Sequence, residues 1–356
     1  MKLTLCMIVK NEEKTLPYCL KAVKDYMDEI VIVDTGSTDL TKEIALRYTT
    51  KVYDYKWNND FSEARNFSIA KATNEFILIL DADEIVNDIN INAISGLIER
   101  NPDHIGRLLR INEFSRDNNP YQYQERVNRL FSKKYYHYEG MIHEQLTRTD
   151  NNRILTYQIP LSIVHSGYEG DIEAVNRKSQ RNIDLLKIAL KSNPNDPYLL
   201  YQLGKSYYMK KDYELATQYF AEALYYDLDP SLEYVQDMVE SYGYALINNG
   251  QYENALQLAG VYQEFSNSAD FVFLMGLIYM NNTRFDQAIA EFSHATQMKE
   301  SKMDGVNSYR SYYNLGVIYE CLGDYDTAKS YYTRCQGFEP ANKQLRALQT
   351  SGMGEV

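Results

Sequence analysis

The chain has few cysteines, the residues that stabilise many small secreted proteins through disulfides and many small domains through structural zinc. Only four of its 356 residues are cysteines, and no two of them form a Cys-x-x-Cys pair. This argues against a disulfide framework or a cysteine zinc site, and indicates reduced thiols in a cytoplasmic protein. No apolar run approaches the ~20 residues of a membrane-spanning helix, so we expect no integral membrane segment.

Basic residues are also in short supply. Lysine and arginine number 37 against 49 aspartate and glutamate residues, which gives a net charge of −12. A chain this acidic argues against nucleic acid as a partner, because binding to the phosphate backbone needs a broad basic surface. A local basic pocket for a diphosphate remains compatible with it. The length is sufficient for two ordinary domains.

Strands and helices alternate up to about residue 165. This alternation predicts βαβ units and a mostly parallel, Rossmann-like α/β sheet. The expected strands are 3–9, 29–33 and 76–80, with strand-like pieces at 107–112 and 127–131, and the expected helices are 13–26, 38–48 and 61–72.

A repeat replaces the strands from about residue 171. Four glycines are each followed twelve residues later by an alanine, as in Gly276 and Ala288. Small residues at fixed helical spacing let paired helices approach closely and stack. The pattern resembles the tetratricopeptide repeat, which implies an all-α solenoid of about four units over 194–342, after a capping helix at 171–193 and before a tail at 343–356. The matching pairs are Gly204 and Ala216, Gly243 and Ala255, Gly276 and Ala288, and Gly316 and Ala328.

Two aspartates follow the apolar strand that ends at Leu80. Side chains two apart on an extended segment point the same way, so Asp81 and Asp83 are expected to converge on one cation. Ligands of open α/β sheets bind beyond the carboxyl ends of the strands. Hard oxygen ligands in that place suit Mg²⁺ or Mn²⁺ held against a diphosphate. The segment therefore predicts a metal–nucleotide site.

A second carboxylate ends the strand before it. Asp34 follows an apolar run, Gly36 permits a sharp turn, and Ser37 or Thr38 is expected to cap the next helix. We expect Asp34 to meet the base or ribose of a nucleotide. The Asp-Thr-Gly letters also occur in aspartic proteases, but that chemistry needs a second such aspartate, and no second Asp-Thr-Gly is present.

Together these segments resemble family 2 glycosyltransferases with a GT-A nucleotide-sugar fold. The resemblance covers about residues 1–170 and rests on 7–13, 34–39, 64–66 and 81–84. Many members have a second aspartate where this chain has Thr35, which leaves Asp34 to carry the nucleotide pocket. The nucleotide-sugar-binding residues implied by the resemblance are Val9, Asn11, Glu12, Asp34, Arg65, Asp81, Ala82 and Arg129.

Two later elements are similar to a subgroup that joins this domain to tetratricopeptide repeats. They are Gly-x-Ile-His-Glu, ending at Glu144, and Val-His-Ser-Gly-Tyr, which contains His165. The subgroup includes lipopolysaccharide-core glucosyltransferases and sublancin-type S-glycosyltransferases. It implies inverting transfer of a hexose from a UDP-sugar, with Asp83, Asp81 and His165 as metal ligands. Glu144 is favoured as the base over His143, although the sequence does not separate the two.

The resemblance leaves the acceptor open. Repeats after the catalytic domain favour a peptide or protein acceptor, and they also suit a homodimer. A cell-surface saccharide acceptor is the alternative within the same enzyme class. The alternative from another class is a repeat scaffold whose catalytic half is degenerate.

Overall fold

The computed structural model describes residues 2–116, 119–150, 152–165 and 172–351. It divides into two compact units, Met1–Arg177 and Lys178–Val356. The expected boundary at residue 170 lies outside the described residues. Among the helices that are described, none has the length and apolar character needed to cross a bilayer.

The first unit is built around an eight-stranded sheet. The strands and α-helices of the unit are β1 Leu3–Val9, α1 Leu16–Val23, β2 Glu29–Asp34, α2 Thr41–Ala45, β3 Val52–Asp54, α3 Phe61–Lys71, β4 Phe76–Ile79, β5 Glu84–Ile89, α4 Ile91–Arg100, β6 Ile105–Arg116, β7 Asn119–Ser132, β8 Tyr136–Glu139, β9 Gln145–Arg148 and β10 Thr156–His165. In the described residues the order of the strands in the sheet is β3-β2-β1-β4-β7-β6-β10-β5.

The sheet is mostly parallel, as predicted. The pairs β1–β2, β1–β4, β2–β3 and β6–β10 are parallel, and only β7 and β5 run against the other described strands. The carboxyl ends of β1, β2, β4, β6 and β10 therefore lie along one edge. The two strand-like pieces expected after residue 100 belong to one long hairpin, β6–β7.

Apolar sequence on both faces of the central strands explains why they are buried. Leu5, Cys6 and Met7 of β1 have no solvent exposure, as expected for a parallel strand covered on both faces. The buried residues of α1 recur at helical spacing, so one stripe of this helix faces the core. They are Leu16, Cys19, Leu20 and Val23.

Two local expectations are wrong in this unit. The helix expected from Thr38 begins at Thr41, and its N-cap residue, Leu40, makes no side-chain cap. The strand expected to run into Asp81 ends at Ile79, and the Glu84 amide donates to the Asp81 carbonyl at 3.1 Å. Asp81 and Asp83 therefore lie in a turn, where side chains two apart need not share a side.

The second unit is all helical in the part that the structure describes. Its helices follow one another in pairs, and Leu256–Val261 forms a 3-10 helix between the short helices Tyr252–Ala255 and Tyr262–Phe265. The first helix, Ile172–Ser192, begins six residues before the unit does. The helices are α5 Ile172–Ser192, α6 Pro197–Met209, α7 Tyr213–Leu224, α8 Glu233–Asn248, α9 Tyr252–Ala255, α10 Tyr262–Phe265, α11 Ala269–Asn281, α12 Phe285–Ala295, α13 Tyr309–Cys321, α14 Tyr325–Arg334 and α15 Glu339–Ser351.

The repeat glycines lie where neighbouring helices touch. A Cβ atom on Gly276 of α11 would come within 2.7 Å of the Phe292 ring on α12. The alanine of the same repeat, Ala288, is fully buried. The other three repeat glycines are equally close to side chains of a following helix, which confirms the repeat. Those contacts are Gly204 to Phe220, Gly243 to Leu274, and Gly316 to Tyr332.

The end of the chain differs from the expected tail. Helix α15 covers Glu339–Ser351, and its Ala341 is fully buried. Leu345 and Leu348 pack on the same cluster as Ala328 and Tyr332, so an apolar stripe at helical spacing stabilises the helix. Residues 352–356 lie outside the described part of the chain.

We predict that Gly276→Ala destabilises the second unit. The added methyl group would overlap the Phe292 ring, and overpacking of this kind costs about 1–3 kcal/mol. Gly260→Ala is the matched control, because a Cβ atom there meets nothing within 4 Å. Urea unfolding followed by circular dichroism measures both. Equal midpoints for the two variants would show that the close contact of α11 with α12 does not require a glycine at position 276.

Candidate active site

The loops after β1 and β2 hold each other at the carboxyl edge of the sheet. The Asn11 amide donates to Ser37 Oγ at 2.9 Å, and the Thr38 amide donates to Asn11 Oδ1 at 2.8 Å. The Glu12 amide donates to Thr41 Oγ1 at 2.7 Å. Asn11 has a φ of 56°, a conformation that asparagine tolerates better than most residues. Ser37 thus braces the neighbouring loop instead of capping a helix.

Asp34 closes β2 with one oxygen engaged and the other not. Its Oδ1 accepts from the amides of Gly36 and Ser37, each at 2.7 Å, and Gly36 has a φ of 104°. Its Oδ2 is buried and has no partner among the residues that the structure describes. A buried acceptor without a donor is costly, so such an atom indicates a place for a ligand donor.

Thr35 ties the first two strands together. Its amide and hydroxyl both donate to the Val9 carbonyl, at 3.0 and 3.1 Å. Thr35 and Val9 are almost fully buried. A second carboxylate at position 35 could not make the hydroxyl's bond, so this chain uses the position to join β1 to β2.

Two arginines hold Asp81. Arg65 Nη2 donates to Asp81 Oδ1 and Arg129 Nη2 donates to Asp81 Oδ2, both at 2.8 Å. Burial alone would raise the pKa of Asp81, but the two guanidinium charges outweigh it and hold that pKa well below its usual range. Asp81 is therefore a fixed carboxylate. Ala82 beside it is buried.

Arg65 also reaches Glu144, which lies in the loop between β8 and β9. Its Nε donates to Glu144 Oε1, and both side chains are largely buried. The loop is held to α3, because the Phe61 amide donates to the Met141 carbonyl at 2.9 Å. His143, adjacent to Glu144, has a φ of 51°. The structure thus brings Glu144, Arg65 and Asp81 into one cluster.

Arg129 extends this cluster to a fully buried glutamate. Arg129 Nη2 donates to Glu84 Oε1 at 2.8 Å, and Glu84 Oε2 accepts from the Asp81 amide at 2.9 Å. Arg110 Nη1 lies 3.3 Å from the same Glu84 oxygen. Carboxylates and guanidinium groups thus alternate from Glu144 to Arg110, which compensates charges that burial would otherwise penalise.

Asp83 and His165 form a separate pair at the same edge. His165 Nε2 lies 3.3 Å from Asp83 Oδ2, and the side chains are 12% and 23% exposed. On the other side of the ring, His165 Nδ1 lies 2.8 Å from Asn112 Oδ1. Residues 166–168, which complete the Val-His-Ser-Gly-Tyr element, lie outside the described residues.

The Asp83–His165 pair fits a divalent cation in part. A carboxylate oxygen and an imidazole nitrogen are ligands that Mn²⁺ accepts, and the oxygen suits Mg²⁺. Nowhere in the described ranges do three or more His, Cys, Asp or Glu residues form a group able to hold a metal. A cation at this pair would need further ligands from substrate phosphate and water, as Mg²⁺ sites commonly do.

The predicted site residues fall into three groups on one edge. Asn11 and Glu12 lie in the loop after β1, and Asp34 ends β2 beside that loop. The ion-pair cluster contains Arg65, Arg129, Asp81 and Glu144, and the separate pair is Asp83 and His165. Sequence reasoning assigned no role to four further members, one within the 81–84 segment and three whose positions depend on strand register and not on a motif. They are Glu84, Arg110, Asn112 and Glu125.

Comparison with known proteins identifies both parts of the chain. Residues 4–157 match the family model "Glycosyl transferase family 2", and residues 169–233, 269–302 and 309–342 match tetratricopeptide repeat models. The first domain is thus a family 2 glycosyltransferase domain of α/β type, and it is followed by tetratricopeptide repeats.

Two curated relatives match this chain over 234 residues. A TPR repeat-containing protein of Synechococcus elongatus is 32% identical over 234 residues, covering 63% of this chain and 56% of that protein. The SPbeta prophage-derived glycosyltransferase SunS of Bacillus subtilis is 29% identical, covering 62% of this chain and 53% of SunS. The chain thus spans a little over half the length of these relatives. The crystal structure of MamA is 23% identical, with a TM-score of 0.39, over 49% of this chain and 98% of MamA.

We predict that Arg129→Met costs about 3–5 kcal/mol of unfolding free energy, because it removes one guanidinium partner from the buried Glu84 and from the partly exposed Asp81. Lys42→Met is the control, since it removes an ion pair with Asp54 between two exposed side chains, and such pairs contribute little to stability. Urea unfolding of the full chain measures both. A loss for Arg129→Met no larger than for Lys42→Met would contradict a supporting role for Arg129.

Proposed function

We propose that this chain, which carries a glycosyl transferase family 2 domain ahead of tetratricopeptide repeats, is an inverting, metal-dependent glycosyltransferase. It moves a hexose from a UDP-sugar to a peptide or protein acceptor. The observation that carries this proposal is the Asp83–His165 pair, which lies at the carboxyl edge of the sheet beside an aspartate fixed by two arginines.

Asp34 binds the nucleoside in this proposal. Its Oδ2 is a buried acceptor without a protein donor in the described chain, and an N–H or O–H group of the base or ribose would satisfy it. The interlocked loops around Asn11 and Ser37 keep the carboxylate in place before substrate arrives. Pre-organisation of this kind lowers the cost of binding.

Asp83 and His165 would hold the cation, which when bound neutralises charge on the leaving diphosphate. Asp81 has a different role from the metal ligand expected of it, because Arg65 and Arg129 already engage both of its oxygens. We assign Asp81, Arg65 and Arg129 to holding the turn that presents Asp83. The structural basis is the hydrogen bond from the Asp81 amide to Glu84 Oε2, which ties the turn to the start of β5.

Glu144 is the favoured base. In an inverting transfer the acceptor heteroatom forms a bond to the anomeric carbon as the bond from that carbon to the diphosphate oxygen breaks. The acceptor proton then passes to the base. Arg65 keeps Glu144 oriented through Oε1. His143 is its neighbour in the same loop, and the choice between them rests on that contact with Arg65.

The repeats favour a polypeptide acceptor, because stacked helix pairs form extended surfaces that bind peptides or a second subunit. The glycosyltransferase name of SunS supports the reaction class. Transfer to a saccharide remains the alternative within that class. A scaffold with a degenerate catalytic half is less well supported, since the ion-pair cluster and the Asp83–His165 pair are both assembled.

We predict that Asp83→Ala lowers turnover of a UDP-hexose by about 100-fold or more, because a metal supplies several kcal/mol of charge stabilisation. Release of UDP is measured with Mn²⁺, with EDTA, and with Mn²⁺ restored. Asp88→Ala is the control, because Asp88 is an exposed carboxylate on the same strand as Glu84. Undiminished turnover in folded Asp83→Ala protein would end the case for this metal site.

We predict that Glu144→Gln slows transfer by about 100- to 10,000-fold, the usual contribution of a general base, and leaves UDP affinity unchanged. Glutamine keeps an oxygen for Arg65 but no longer takes a proton. Glu139→Gln, on β8 with a side chain 60% exposed, is the matched control. Product formation is followed by mass spectrometry with a panel of UDP-hexoses and a cell lysate as acceptor source. Loss of UDP affinity would move Glu144 to a binding role.

A further inference from the structure

Strand register places a row of polar residues beside His165. His165 of β10 pairs with Asn112 of β6 and with Glu84 of β5. Asn112 pairs in turn with Tyr123 of β7. Cross-strand partners project to the same face of a sheet, so the Asn112 amide and the His165 ring are neighbours. Asn112 is almost fully buried, with 6% exposure.

The Asn112 amide can point in only one direction. Its Nδ2 donates to Glu125 Oε1 at 2.8 Å and lies 3.4 Å from the Tyr123 carbonyl. A carboxylate and a carbonyl only accept hydrogen bonds, so the group that faces them must be the NH₂. The amide oxygen, Oδ1, therefore faces His165 Nδ1 at 2.8 Å.

Glu125 is itself fixed as an acceptor. Arg110 donates to Glu125 Oε1 from Nε at 3.2 Å and from Nη2 at 2.9 Å. Arg110 of β6 and Glu125 of β7 are cross-strand partners, and Arg110 lies two residues before Asn112 on β6. Arg110 also reaches Glu84, so this relay joins the cluster that holds Asp81.

We propose that Asn112, oriented by Glu125, is a positioning residue that fixes the tautomer of His165. An oxygen acceptor at Nδ1 requires that the ring carry its hydrogen there. The neutral ring then has its lone pair on Nε2, the atom that lies 3.3 Å from Asp83 Oδ2. A lone pair at that atom is what a metal ligand needs.

The other neutral tautomer could not bind a cation together with Asp83. With its hydrogen on Nε2, His165 would donate to Asp83, and that hydrogen bond would occupy both atoms that face a cation. The relay Arg110–Glu125–Asn112 disfavours the neutral ring with its only hydrogen on Nε2, because that ring would face the Asn112 oxygen with a lone pair at Nδ1. The role of this tautomer in metal binding rests on the proposed function. The tautomer itself can be observed without any metal.

The direct test is nuclear magnetic resonance of the full chain with ¹⁵N-histidine labelling, at pH 8 and with EDTA. The chain has five histidines, and loss of one signal set in His165→Gln assigns the ring. Long-range ¹H–¹⁵N correlations then show which nitrogen is protonated. We expect Nδ1–H with an unprotonated Nε2. A ring protonated at Nε2 would overturn the proposal without recourse to any variant.

Two variants test the relay. Asn112→Leu removes the acceptor and should move His165 to the Nε2–H form. Glu125→Leu leaves only the 3.4 Å contact with the Tyr123 carbonyl to hold the amide, and should give a mixture of tautomers. Asn128→Leu, an exposed asparagine on β7, is the control and should leave the Nδ1–H form intact. An unchanged tautomer in folded Asn112→Leu protein would show that Asn112 does not set it.

Titration with MnCl₂ in the presence of UDP separates this inference from the proposed function. Loss of an outer partner of a ligating histidine weakens metal binding by about 10- to 100-fold. We expect that loss for Asn112→Leu and not for Asn128→Leu. If the wild-type protein shows the Nδ1–H tautomer but binds no Mn²⁺, the proposed metal site fails while the positioning role of Asn112 stands. Equal Mn²⁺ affinity in Asn112→Leu and wild type would contradict a role for that tautomer in metal binding.

Discussion

The double ion pair of Arg65 and Arg129 with Asp81 is the interaction on which the candidate site depends. Each arginine donates to one oxygen of Asp81, which lies just after the end of β4, and both arginines are buried. A carboxylate that has lost part of its contact with water is protonated more readily without such partners. With them, both oxygens of Asp81 are engaged, and the turn that carries Asp83 is tied to α3 and β7. Glu84 completes the arrangement by accepting from the Asp81 amide at the start of β5.

This interaction links elements that are far apart in the chain. Arg65 comes from α3 and brings in Glu144 from the loop after β8, while Arg129 comes from β7 and brings in Glu84 and Arg110. The cluster is stabilised by alternation of charge, because each added carboxylate is matched by a guanidinium group nearby. These groups lose their water when the chain folds and not when a ligand binds. The site is therefore arranged before substrate binds. His165 joins the same network through Asn112 and Glu125.

The sequence predicted local structure correctly where neighbouring residues alone decide it. β1 was predicted at its observed limits, because an apolar run bounded by polar residues leaves little choice of limits. The repeats were predictable from glycine and alanine spacing, since only small residues fit where Phe292 or Tyr332 presses on a neighbouring helix. The start of α2 was not predictable from Ser37 and Thr38. Those side chains had a competing partner in the β1 loop, and the sequence does not show which contact is stronger.

The sequence by itself determined the division into an α/β domain and a helical repeat domain, the order of the strands along the chain, and the set of carboxylates and histidines available for chemistry. These follow from periodicity and from residue type, which act over a few neighbouring residues. Only the tertiary structure decided that Arg65 and Arg129 bind Asp81, and that Asn112 and not a second carboxylate lies beside His165. Those pairings depend on strand register and on the competition among buried charges. Both are settled by contacts between residues far apart in the chain, such as Arg65 and Glu144, which are 79 positions apart.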